Sequence, residues 1–212
     1  MKKIFTIILL GCLSLPFLTG CWNNKPVEAK KEIKSGKNEK TEKNSQSKEE
    51  NKPTNKVETF KNPDDAKEFQ ITLPKGWENT TQEDKKDNPD TDAVFYASNF
   101  KTSVSLAILI ENKSDFTDIN AFTTLGENTF AEDPTIKNKP VKFNDIEPIN
   151  GQNSKLATYD TEKSGMNLVC SEYVIEGIDS YIRVSFWSLK SNYEKNKTGY
   201  NEILSSIKEV EK

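Results

Sequence analysis

The chain has no histidine, a single arginine (Arg183), and only three cysteines, Cys12, Cys21 and Cys170. Without histidine, the usual base that activates a serine or cysteine nucleophile is missing, and so is a common zinc ligand. No run of clustered cysteines replaces it, so neither a metal nor a cofactor is expected. A glycine-rich phosphate loop is also absent. No catalytic residue is assigned: acid–base work needs two placed carboxylates with separated pKa values, and a chain with 33 acidic residues offers pairs everywhere without marking one. Positive charge is short where nucleic-acid binding would need it. Residues 61–212 hold 18 basic residues against 26 acidic ones, which argues against contacts to a phosphate backbone.

What is present is strongly segmented. Residues 1–20 have a Lys2-Lys3 start, an apolar run from Ile4 to Leu18 and a small-residue end, the three-part layout of an export signal. The run is too short, and too soon followed by polar sequence, to remain as a membrane span. It closes in Leu18-Thr19-Gly20-Cys21, which resembles the lipobox of bacterial lipoproteins. That resemblance implies signal-peptidase recognition at Leu18, Thr19 and Gly20, and a diacylglyceryl group on Cys21 as the first residue of the mature chain. Several acyl chains, each methylene contributing about 0.8 kcal/mol when buried, hold a protein on a membrane durably. The expected location is therefore the extracytoplasmic face of a cell membrane, and the richness in Lys, Asn and Ile points to a Gram-positive bacterium.

With Cys12 in the signal and Cys21 carrying lipid, Cys170 is left alone and no intramolecular disulfide can form. It sits in an apolar run, Met166 to Ile175, where a free cysteine acts as a small hydrophobe. Residues 21–60 are dominated by Lys, Glu, Asn and Ser, with only scattered apolar positions, and are expected to form a disordered linker. As a flexible coil it would reach about 30 to 40 Å.

Residues 61–212 read as one domain. Strands are expected at Phe69–Leu73, Ala93–Ser98, Ser103–Glu111, Val141–Ile149, Ser154–Thr161, Met166–Glu176 and Ser180–Leu189, from alternation and turn signals such as Asn150-Gly151 and Ser164-Gly165. Asp118 can cap a helix running to about Ala131, and Ser191 to Glu194 has capping-box spacing for a last helix carrying Tyr193, Tyr200, Ile203, Leu204, Ile207 and Val210 on one stripe. Asp84, Asp87, Asp90 and Asp92 are expected in one solvated acidic loop, which leaves open whether they bind a cation. The element order predicts an α+β fold with a largely antiparallel sheet.

Phe69-Gln-Ile-Thr-Leu-Pro-Lys-Gly-Trp77, the stretch Ile146 to Ala157, Tyr181-Ile-Arg-Val-Ser-Phe186 and the closing Tyr200 to Ile207 resemble the PsbP-like superfamily in its bacterial, DcrB/LpqN-type form. The resemblance implies an α/β/α sandwich around a central, mainly antiparallel sheet, used for docking onto larger partners, with no shared catalytic residues. The expected function is a non-catalytic binding or scaffolding module at the cell envelope. Its partners would be the membrane, through the lipid on Cys21, and an unidentified envelope protein or ligand. Tyr181 and Trp187 are candidates for a docking face, with burial beneath a helix as the alternative for both. A solute-capturing lipoprotein serving a transporter is the second reading, and an envelope hydrolase a weaker third.

Overall fold

A computed structural model describes residues 55–210. Ten strands and four helices follow one another. The strands are β1 (Lys56–Lys61), β2 (Glu68–Leu73), β3 (Glu78–Asn79), β4 (Phe95–Asn99), β5 (Val104–Asn112), β6 (Asn144–Ile149), β7 (Gln152–Lys163), β8 (Met166–Glu176), β9 (Ser180–Leu189) and β10 (Lys208–Glu209). The helices are α1 (Thr81–Asp87), α2 (Ile119–Glu132), α3 (Tyr193–Asn196) and α4 (Tyr200–Ser206).

Seven strands form one sheet in the order β3-β4-β5-β9-β8-β7-β6, every neighbouring pair antiparallel. Its two tightest hairpins turn at Asn150-Gly151 and Ser164-Gly165, where both residues of each pair have positive φ. That is the backbone of a type I′ turn, whose twist matches the strands it joins. The other three strands make a small sheet, β1-β2-β10.

Strand alternation sends alternate side chains to opposite faces of the large sheet, and both faces are covered. On one face Leu106, Ile108, Val184 and Phe186 pack with Phe69 and Ile71 of β2 and with Ile203 and Leu204 of α4. On the other, Val174 and Tyr181 meet Ile119 and Phe122 of α2, while Tyr159 and Cys170 meet Phe130 at its far end. The expected sandwich is therefore present, with a small sheet sharing one outer layer with α4.

Three expectations are corrected. β1 begins at Lys56, inside the stretch assigned to the linker, because pairing along its whole length with β2 orders it although Phe60 alone among its residues is buried. Part of the expected acidic loop is α1, with Asp84 buried and accepting a hydrogen bond from Thr80 Oγ1 at 2.6 Å. The single closing helix is broken: α3 and α4 are separated by a tighter turn at Lys197–Gly199, Ile207 ends the helical run, and Val210 lies beyond β10 rather than on a helical stripe. The capping-box expectation also fails, since no side chain caps α3 or the turn before it. The signal segment and linker residues up to 54, including Leu18, Thr19, Gly20 and Cys21, lie outside the described residues.

Candidate functional site

The chemically richest point of the domain is a polar cluster between α2 and the large sheet. Glu172 on β8 is fully buried, and Arg183 on β9 is 5% exposed. The register sets Val174 opposite Arg183 and Glu172 opposite Ser185, so Arg183 reaches Glu172 diagonally across the strand pair. Arg183 Nε donates to Glu172 Oε2 at 2.7 Å, and Ser185 Oγ donates to the same oxygen at 2.5 Å. Tyr159 OH donates to Glu172 Oε1 at 3.0 Å, and Cys170 Sγ does so at 3.5 Å. The Arg183 guanidinium also lies 5.6 Å from the centre of the Phe130 ring on α2.

This arrangement saturates the carboxylate. Burial works to raise the Glu172 pKa, but the charge and hydrogen bond of Arg183, with the bonds from Ser185 and Tyr159, outweigh it and hold the group ionised below its ordinary range. Burial pushes the Cys170 thiol well above its ordinary value, and the neighbouring Glu172 charge adds to this. Burial likewise raises the Tyr159 phenol. A thiol held protonated and a carboxylate with its oxygens occupied are poor starting points for nucleophilic or general-base chemistry. Cys170 is the buried filler that its apolar surroundings predict.

Beside the cluster is a small pocket whose lining includes Leu109, Phe122, Gly126, Phe143 and Val174, with Arg183 of the polar cluster also reaching it. Asp92 and Glu111 stand among its lining residues. The lining contains one hydroxyl, that of Thr123, and it donates to the Asn120 carbonyl at 3.2 Å. The lining is therefore mainly apolar, with two carboxylates and one guanidinium, and holds no activated nucleophile.

Tyr181 does not form a docking face. It is 1% exposed, its ring stacks on Phe122 of α2 at 5.2 Å, and Phe116 meets it edge-on at 6.0 Å. The alternation along β9 separates two buried faces rather than a buried face from an exposed one. Ile182, Val184 and Phe186 enter one core, while Tyr181, Arg183 and Ser185 face α2. Trp187, on the same side as Tyr181, is half-buried between the cluster around Phe130 and a smaller one made by Ala93, Tyr96 and Ala107. Among the described residues no group of three or more His, Cys, Asp or Glu is placed to hold a metal ion, and no helix is long and apolar enough to cross a membrane.

The Glu172–Arg183 pair was not singled out from the sequence. Its signal was there, since one carboxylate interrupts the apolar run of β8 and the chain's sole arginine interrupts that of β9.

No protein-family model matches the chain, and no curated protein matches it. Solved structures do. LpqN of Mycobacterium tuberculosis, described as involved in cell envelope biogenesis, matches with a TM-score of 0.48 at 8% identity, over 74% of this chain and 92% of that one. The cyanobacterial PsbP of Synechocystis matches at 0.46 and 12% identity, over 73% and 92%. A protein of Bacteroides thetaiotaomicron matches at 0.45 and 12% identity, over 68% of this chain, which spans 46% of that longer one. Likeness at this level is one of chain trace and transfers no partner or activity.

Proposed function

We propose that the protein is a non-catalytic binding module held on the outer face of a cell membrane by lipid attached to Cys21. The observation that carries the non-catalytic part is the saturated Glu172 cluster. Cys170, Glu172 and Tyr159 are gathered there, all buried and each engaged by another member of the cluster. The absence of histidine throughout the chain supports the same reading. Anchoring is supported by Leu18-Thr19-Gly20-Cys21 at the end of the apolar run. On this reading the domain serves by contact, bringing an envelope protein or ligand to the membrane surface.

The test is cell fractionation with surface proteolysis. The wild-type chain should sediment with membranes, be cleaved by protease added to intact cells and take up labelled fatty acid, whereas Cys21→Ala should take up no label and keep its signal segment uncleaved. A wild-type chain in the cytosol, protected from added protease, would remove the anchoring. Turnover of a substrate from a hydrolase panel, lost on one carboxylate substitution, would remove the non-catalytic reading.

A further inference from the structure

The strand ends sort the domain's loops into two groups of different charge. Asn99 pairs with Val104, and Val104 with Ser188, so the β4–β5 turn and the segment after β9 share one end of the large sheet. The turn between β2 and β3 joins them: a Cβ on Gly76 would lie 3.4 Å from the Asn99 side-chain amide. The helical segment after β9 is tied in by Asn196 Nδ2, which donates to the Thr102 carbonyl at 3.1 Å and to Ser188 Oγ at 2.9 Å.

These turns present Lys75, Lys101 and Lys195, all exposed and none with an ion-pair partner among the described residues. Among them stands Phe100, 44% exposed at the tip of the β4–β5 turn. The opposite end of the sheet, around the β8–β9 turn, carries Asp115 and Asp118 together with Glu176 and Asp179, the last two ion-paired with Lys113 and Lys67. A domain of net negative charge thus gathers unpaired lysines around an exposed aromatic ring at one end. The chain also enters the domain at this end, because Lys56 at the start of β1 pairs with Leu73, next to the turn carrying Lys75.

We propose that this end of the domain docks onto an anionic lipid surface, with Phe100 entering the interfacial region and Lys75, Lys101 and Lys195 facing the headgroups. The chemistry is that of peripheral membrane binding, in which an apolar side chain seats while neighbouring cations meet anionic lipid. The alternative partner, an acidic protein, would use the same lysines, and the vesicle assay below separates the two. The proposal rests on the anchoring proposed above, which keeps the domain within reach of a bilayer; the described chain starts at this same end of the sheet, with Lys56 paired to Leu73.

The test uses the mature chain, starting at residue 21 with Cys21→Ala, so that neither lipid nor the apolar signal segment can hold it, in co-sedimentation with vesicles of phosphatidylcholine alone or mixed with phosphatidylglycerol. Binding is expected on the anionic vesicles only, and should weaken with added salt. Lys75→Gln, Lys101→Gln and Lys195→Gln together should lower the affinity about 100-fold, and Phe100→Ser about tenfold. A triple Lys→Gln change in the linker, at Lys37, Lys40 and Lys43, should cost less than the domain triple. Thermal melting of each variant checks that the fold is kept. Equal binding by wild type and the domain triple, loss confined to the linker triple, or no preference for anionic lipid would each overturn the proposal. Because this chain carries no lipid, such a failure would leave the Cys21 anchor untouched.

Discussion

Glu172 is a fully buried carboxylate, and its removal from water is tolerable only because each oxygen has a donor and a guanidinium lies alongside. Removing one partner should therefore cost more than removing both. Arg183→Met leaves an uncompensated buried charge and is expected to destabilise the domain by about 3 to 5 kcal/mol, while the double change Glu172→Leu with Arg183→Met should recover most of the loss. Urea unfolding of the three proteins checks this, and equal losses in the single and double variants would contradict it. The pair also sets an acid limb. Because the folded pKa of Glu172 lies below its ordinary value of 4.5, the unfolded chain binds the proton more readily. The pair's contribution to stability is present above that value and lost as pH falls through the folded pKa. The urea midpoint should drop on acidification below about pH 4.5, and Glu172→Gln should flatten that drop. The sequence marked Glu172 and Arg183 as charges within apolar runs, but their pairing shows only once the register of β8 on β9 is known.

The elements legible in the sequence were those whose pattern and burial agree. β8 and β9 were read with their observed bounds because long apolar runs bounded by turn signals leave little choice of register. α2 was read with its cap: Asp118 Oδ1 accepts from the Ala121 amide at 2.8 Å, one residue before the helix begins. Asp118→Ala is expected to lower stability by about 1 kcal/mol, measured as a shift in the denaturant midpoint, because an orphan amide of the first turn is left without that acceptor. No shift would mean that tertiary packing alone fixes the start of α2. The elements missed are those fixed from a distance. β1 has a linker-like composition and is ordered by β2. The closing stripe was periodic enough to look like one helix, but Ile207 turns into an extended conformation and β10 then pairs with β2. Of the two readings open for Tyr181, a docking face or burial beneath a helix, the second holds, because α2 covers that face of β9.

For the whole molecule, the account joins a domain whose reactive groups are sealed inside to an amino-terminal segment that ends in a lipobox-like Cys21. The lysines and Phe100 lie at the end where the chain enters, and the acidic turns lie at the other. The account's central claim is that Cys21 is the lipid-bearing first residue of the mature chain. The direct measurement is mass spectrometry of the amino-terminal peptide of the protein purified from its own cells. The account predicts a peptide that starts at Cys21 and carries the mass of a diacylglyceryl group. A mature chain that retains Met1, or one that begins elsewhere with an unmodified Cys21, would contradict it.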